Sequence, residues 1–146
     1  MKNTLGEVSV LFSYPRHLFI LAARLLLAYG FIKPALLKLN DMNATAEWFA
    51  SLSIPLPTVA AYLVTGLETI GIVLLVLGLF TRPISILLSF VMMGAILFVH
   101  ESHGFSVSQN GIEIPLYYML FLFIFASFGA GKYSLDHLLF KGRNHE

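Results

Sequence analysis

The chain has 146 residues, the length of one ordinary domain, of which 58% are hydrophobic and only 12% are charged. Soluble globular chains carry about 25% charged residues, so this composition, with a mean hydropathy of +0.82, excludes a soluble or disordered protein and indicates a protein of the lipid bilayer. The formal net charge is +1 and no basic block is present, so nucleic acid is not an expected partner. The absence of cysteine excludes disulfides, thiolate metal sites and cysteine nucleophiles.

Four segments approach the roughly 20 apolar residues that a helix needs to cross a bilayer. None alternates strictly between apolar and polar residues, so helices are favoured over the strands of a barrel. The predicted spans are residues 18–37, 58–80, 83–100 and 114–131. No internal repeat or linker divides the chain, so the sequence predicts a single transmembrane domain over residues 1–146, an all-α integral membrane four-helix bundle.

The connections between the spans also carry structural signals. Pro83 follows Thr81 and Arg82, and because proline is tolerated only in the first turn of a helix, the second and third spans should form a tight antiparallel hairpin. Residues 38–57 mix Trp48 and other apolar residues with polar ones, which is typical of a short helix lying in the membrane interface. Residues 101–113 are polar and glycine-containing, as expected for a loop.

The distribution of lysine and arginine predicts the orientation of the bundle. Cytoplasmic loops of membrane proteins carry an excess of these residues. Six of them lie in the terminal segments and the second loop: Lys2, Arg16, Arg82, Lys132, Lys141 and Arg143. The first and third loops hold only two, Lys33 and Lys38. Both termini are therefore predicted to be cytoplasmic, in a bacterial or archaeal plasma membrane.

Arg24 and Glu68 fall near the middle of the first and second spans. A charged residue at the centre of a bilayer costs roughly 2.5 to 3.5 kcal/mol on insertion scales, so each is a candidate functional residue. Their estimated depths, about 12 and 18 Å from the cytoplasmic edge at 1.5 Å per residue, predict an ion pair inside the bundle. The alternative is that the pair only fixes how the helices pack.

A second polar set is predicted at the outer ends of the spans. His100 ends the third span, Glu113 opens the fourth, Tyr117 lies one turn below Glu113, and Lys33 lies near the end of the first span. Because small residues continue the face of Tyr117 inward, we expect a ligand pocket in the outer half of the membrane, bounded by His100, Glu113 and Tyr117, with Arg24 and Glu68 beneath it.

The same outer region offers a metal site as an alternative. His100, Glu101, His103 and Glu113 include imidazole and carboxylate ligands that suit zinc, iron or copper. A di-iron helical bundle uses two Glu-x2-His motifs, and the chain has neither, so no resident metal or haem is predicted.

The order of these residues resembles the DoxX family of small bacterial and archaeal membrane proteins. The matching elements are Arg24, Gly30-x2-Lys33, Glu68-x2-Gly71, Gly78-Leu79-x-Thr81-Arg82, Glu113 and the ending Gly129-Ala130-Gly131-Lys132-Tyr133-Ser134-Leu135-Asp136. The resemblance covers roughly residues 16–136. It implies a four-helix membrane protein linked to respiratory or oxidative-stress redox systems.

Combining the resemblance with the buried polar residues predicts an oxidoreductase subunit that binds a quinone. The quinone ring would pack on apolar side chains, and its carbonyls would accept hydrogen bonds from Arg24, His100 or Lys33, with Tyr117 beside them. Glu68 or Glu113 would exchange the accompanying protons as the catalytic carboxylates. The electrons would come from a protein partner, and the expected contacts otherwise are membrane lipid and further copies of the chain.

Two other classes of function stay open at the level of sequence. The protein could be a non-catalytic membrane scaffold that recruits a partner enzyme, with its polar residues locking the bundle. It could also form a pathway for a small solute or protons, since intramembrane carboxylates and arginines mark such routes.

Overall fold

A computed structural model describes residues 6–8, 10 and 15–141. Within this part of the chain every regular element is helical, so the predicted all-α class is confirmed. The helices are α1 (Arg16–Asn40), α2 (Met42–Ser51), α3 (Pro57–Leu77), α4 (Thr81–Gly94), α5 (Glu113–Phe128) and α6 (Leu135–Phe140). After Gly94 the chain continues through a π-helical segment (Ala95–His100) and a 3₁₀ turn (Glu101–His103), and a second 3₁₀ turn covers Val107–Gln109.

Three helical segments of the described chain are long and apolar enough to cross a membrane: Arg16–Asn40, Pro57–Leu77 and Thr81–His103. The fourth apolar helix, Glu113–Phe128, has 16 residues. It ends three residues before the predicted limit of 131, because Gly129 takes φ 77° and ψ −164°, which stops the helix. The hairpin prediction agrees with the structure, since α4 begins at Thr81 and holds Pro83 in its first turn.

The four long helices form a bundle in which α1 packs on α3, α3 on α4, and α4 on α5. Its buried apolar side chains come from all four helices: Leu27, Ala28, Phe31, Leu75, Ile84, Leu88, Met92, Leu122 and Phe125. Lipid tails are as apolar as these side chains, so close packing rather than water exclusion holds such helices together. Gly71 shows this directly, because a Cβ there would lie 2.8 Å from the side chain of Leu88.

The outside of the bundle is apolar. Large side chains such as Leu26, Phe90 and Phe128 are exposed at 66%, 71% and 72% of their surface. A contiguous apolar exterior of this kind is unstable in water and is matched by a lipid environment. The structure therefore agrees with the membrane location predicted from composition.

Candidate functional site

Arg24 is 1% exposed and its guanidinium group is bound by backbone carbonyl groups. Nη1 donates to the carbonyl of Ala130 at 2.6 Å, and Nη2 donates to the carbonyls of Tyr133 at 2.8 Å and Val76 at 3.4 Å. The carbonyl of Val76 lies in the last turn of α3, and those of Ala130 and Tyr133 lie in the segment that follows α5. The arginine therefore ties three separate segments of the chain together.

The segment that follows α5 is itself tightly built around Arg24. The carboxylate of Asp136 accepts from the backbone N–H groups of Phe80 at 2.7 Å and Thr81 at 2.9 Å, at the start of α4. Gly78 has φ +65°, and a Cβ there would lie 2.5 Å from Ser134 and 2.6 Å from Arg24 Nη1. We call this arrangement, comprising Arg24, residues 76–81 and residues 129–136, the Arg24 end of the bundle.

The predicted ion pair between Arg24 and Glu68 is wrong. Nζ of Lys38 lies 2.7 Å from Oε2 of Glu68, and both side chains are largely buried, at 14% and 4% exposure. The antiparallel register of α1 and α3 explains the difference, because it sets Arg24 beside Val76 at one end and Lys38 beside Glu68 further along. The sequence prediction estimated the depth of each residue along its own helix. Such estimates carry no information about how the two helices are aligned with each other.

Lys38 was missed as a site residue, although the sequence carries a signal for it. Four of the five buried residues of α1 form a stripe with alternating spacings of four and three: Arg24, Ala28, Phe31 and Ala35. Lys38 is the next position of that stripe, which is the spacing of one helix face. A lysine that continues a buried stripe needs a buried partner, and Glu68 on the facing stripe of α3 provides it.

A cavity of about 680 Å³ adjoins the Lys38–Glu68 pair. Its volume lies within the range of about 300–1,000 Å³ typical of small-molecule sites. We call this region of the bundle the cavity end. The lining residues with polar side chains are Lys33, Lys38, Trp48, Glu68, His100, Asn110 and Tyr118, and most of the others are apolar, including Phe31, Phe49, Val91, Met92, Phe98, Val99 and Ile114.

His100 borders this cavity and is held by the loop opposite it. Its Nδ1 lies 2.7 Å from the carbonyl oxygen of Asn110. The ring sits at the end of the π-helical segment Ala95–His100, which also contributes Ala95, Phe98 and Val99 to the lining. Single π-helical turns inside α-helices occur frequently at functional sites.

The remaining predicted site residues divide between the cavity and its surroundings. Lys33 lines the cavity, whereas Glu113 and Tyr117 do not. The carboxylate of Glu113 accepts from the backbone N–H of Val107 at 2.9 Å and from the hydroxyl of Tyr117 at 3.2 Å. Tyr118 lines the cavity in place of Tyr117, since adjacent residues of a helix point about 100° apart.

Tyr118 depends on a glycine in the facing helix. A Cβ on Gly30 would overlap the Tyr118 hydroxyl group, so any larger residue at this position would force the Tyr118 ring to move. The ring also contacts that of Phe31, with centroids 5.4 Å apart. Gly30 therefore shapes one wall of the cavity.

The metal alternative gains no support from the described residues. No three histidine, aspartate or glutamate side chains between residues 15 and 141 come close enough together to hold an ion. His103 contacts the carbonyl of Val99 and the hydroxyl of Ser102 instead of other candidate ligands.

Long apolar helices, close packing through small residues and a cavity beside a buried ion pair define a helical integral membrane protein with a cavity between its helices. The family model of DoxX matches residues 19–101, more than half of the chain. The chain belongs to the DoxX family.

Several curated proteins are similar to the chain over most of its length. An uncharacterized protein of Haemophilus influenzae is 33% identical over 84% of this chain and 83% of its own. Inner membrane protein YphA of Escherichia coli is 31% identical over 70% and 75% of the two chains. A Bacillus subtilis protein named putative oxidoreductase CatD is 30% identical over 86% and 90%. No solved structure matches the chain significantly.

Proposed function

We propose that this protein is a membrane subunit of a respiratory or oxidative-stress redox system and that it binds a quinone at the cavity end. The observation that carries the proposal is the cavity itself, in which apolar and aromatic walls surround a few polar groups. A quinone has the matching chemistry, with a planar apolar ring and two carbonyl acceptors. The name of the relative CatD, putative oxidoreductase, points in the same direction.

The lining side chains have distinct roles in this proposal. Lys33 is exposed and donates a hydrogen bond or positive charge at the edge of the cavity. Glu68 is the carboxylate available for proton exchange, and Nζ of Lys38 lies 2.7 Å from its Oε2. Phe31 and Phe98 supply apolar contact with the ring. Arg24, Glu113 and Tyr117 lie outside the cavity lining and are not part of the proposed site.

The proposed redox step needs a protein partner. Reduction of a quinone to a quinol takes up two electrons and two protons, and the chain has no cysteine with which to supply electrons as a thiol couple. We propose that an electron-carrying redox protein docks on this subunit in the membrane, while the chain binds the quinone and handles protons. Association with further copies of the chain is compatible with this arrangement.

A non-catalytic scaffold is the second candidate function. It is favoured by the chemistry of Arg24, whose hydrogen bonds all go to backbone carbonyls of this same chain. On that account the Lys38–Glu68 pair also serves only to fix the packing of α1 on α3.

We propose an inner-membrane orientation with both termini in the cytoplasm and the cavity end toward the opposite side. Its support is the six-to-two distribution of lysine and arginine. Reporter fusions after Glu146 and within residues 101–113 should report opposite compartments. A C-terminal reporter on the extracytoplasmic side would contradict the orientation.

The quinone proposal is testable with a reporter that the chain already contains. Trp48 is the only tryptophan and lines the cavity, so decylubiquinone bound there should quench its fluorescence. Quinones also dissolve in detergent micelles, and the saturable part of the quenching must therefore be separated from the background.

Two glycine variants provide that separation. Gly94 lines the cavity, and a Cβ there meets no atom within 4 Å, so Gly94→Leu should fill the cavity without disturbing its neighbours. Gly66 is equally open but lies outside the lining, so Gly66→Leu is the matched control. We expect Gly94→Leu to remove saturable quenching and Gly66→Leu to retain it. Equal quenching in all three proteins would reject the quinone site.

A further inference from the structure

The loop opposite His100 is rigidly built. Backbone N–H groups of Gly111, Ile112 and Glu113 donate to carbonyls of Ser106, Gly104 and Phe105 at 2.9, 3.0 and 3.0 Å. A Cβ on Gly111 would lie 2.5 Å from the carbonyl oxygen of Gly104, so the two sides of the loop approach each other more closely than any other residue permits. The loop therefore holds the Asn110 carbonyl in one place.

That carbonyl determines which nitrogen of His100 carries the proton. A carbonyl oxygen only accepts hydrogen bonds, so at 2.7 Å the Nδ1 of His100 must be the donor. In a neutral imidazole only one nitrogen is protonated, and Nε2 then has a lone pair. Within residues 15–141, Nε2 of His100 has no hydrogen-bond partner.

This geometry reverses the role that the sequence suggested for His100. The sequence predicted a donor to a quinone carbonyl, but a neutral ring with its proton on Nδ1 cannot donate from Nε2. It can accept from a hydroxyl group. His100 is half-buried and most of the lining around it is apolar, so leaving its acceptor unpaired against a ligand without a hydroxyl costs binding free energy.

We propose that His100 makes the cavity selective for ligands that present a hydroxyl donor, so that it binds the quinol form in preference to the quinone. The inference rests on the proposed function, because it assumes that a ligand of this class occupies the cavity. The Asn110 carbonyl is the positioning group, and Glu113 contributes by binding the backbone N–H of Val107 in the same loop.

Two redox-inert probes of nearly equal shape isolate the hydroxyl group. They are 4-decyloxyphenol, which has a donor, and 1-decyloxy-4-methoxybenzene, which has none. Each is used at pH 8 to displace decylubiquinone from wild-type protein, with Trp48 fluorescence as the readout. We expect the phenol to act at a concentration at least 10-fold lower than the methyl ether.

Substitutions then assign this preference to His100. His100→Phe retains a ring and removes the acceptor. It should weaken binding of the phenol alone, so that the displacing concentrations of the methyl ether and the phenol differ by less than threefold. His100→Gln retains an acceptor oxygen and should keep part of the preference. His103→Phe is the matched control, because His103 lies three residues away and outside the cavity lining; it should leave the ratio unchanged.

The outcomes distinguish this inference from the proposed function. Equal displacement by both probes in the wild type, or an unchanged ratio in His100→Phe, would overturn the selectivity while leaving quinone binding intact. Failure of decylubiquinone to give saturable quenching would overturn the quinone site and the selectivity together.

Discussion

The two ends of the bundle differ in the surroundings of their buried charged side chains. At the Arg24 end, the guanidinium is surrounded by backbone carbonyls, and the packing is so close that Gly78 cannot carry a Cβ. At the cavity end, the Lys38–Glu68 pair adjoins about 680 Å³ of space. Intramembrane charges are candidates for function by default. In the function proposed above, the free space beside the Lys38–Glu68 pair distinguishes a binding role from the structural role of Arg24.

The largest expected effect is that of Arg24→Ala. The substitution leaves three backbone carbonyls without the donor that Arg24 supplies and creates a cavity, so we expect a loss of about 3–5 kcal/mol in the free energy of unfolding. Equilibrium unfolding in mixed dodecylmaltoside and SDS micelles, followed by circular dichroism, measures it. Arg16→Ala, at an exposed position, is the control and should change stability by less than about 0.5 kcal/mol. A loss of similar size in both would contradict the structural role of Arg24.

Gly78→Ala should have the next largest effect. Its Cβ would collide with Ser134 and Arg24 at a residue with φ +65°, and we expect a loss of about 2–3 kcal/mol from overpacking and backbone strain. Gly66→Ala, where a Cβ meets nothing within 4 Å, should be neutral or stabilising by up to about 1 kcal/mol. The same micelle unfolding assay compares the two, and equal losses would show that the Arg24 end is loosely packed.

A double-mutant cycle sharpens the contrast between the two charges. Lys38→Met and Glu68→Gln remove the two sides of a contact of 2.7 Å, so their effects on stability should be coupled by about 1–2 kcal/mol. Arg24→Ala and Glu68→Gln do not share a partner, and should add within about 0.5 kcal/mol. Strong coupling between Arg24→Ala and Glu68→Gln would contradict the structure and support an ion pair between Arg24 and Glu68.

The smallest effect is expected for Glu113→Gln. Glu113 binds the Val107 N–H and the Tyr117 hydroxyl outside the cavity lining, and glutamine retains an acceptor for the first of these bonds. The dissociation constant of decylubiquinone, from Trp48 quenching, should stay within twofold of wild type. A change above tenfold would place Glu113 in the binding site after all.

The sequence was sufficient for the helices but not for their mutual register. Hydropathy identified the long apolar segments, and Pro83 located the turn between two of them, because these are local properties. The helical stripe could have singled out Lys38, but its pairing with Glu68 depends on how α1 lies against α3, which a local pattern does not encode. Nothing in the residue spacing indicated the π-helical segment Ala95–His100.

The sequence predicted only part of the cavity lining. Three of the predicted site residues line the cavity: Lys33, Glu68 and His100. Tyr117 was also predicted, but the neighbouring Tyr118 lines the cavity instead. The tyrosines are adjacent in a helix that is apolar on all sides, so hydrophobic periodicity could not say which one faces inward.

Photolabelling with an azidoquinone tests most directly the claim that the two ends differ in function. The purified protein would be labelled, digested and mapped by mass spectrometry, with and without excess decylubiquinone. We predict labelling within residues 31–38, 91–100 or 114–118 that the excess quinone prevents, and none that it prevents within residues 16–24 or 129–137. Protected labelling at the Arg24 end, or labelling that excess quinone leaves unchanged everywhere, would contradict the account.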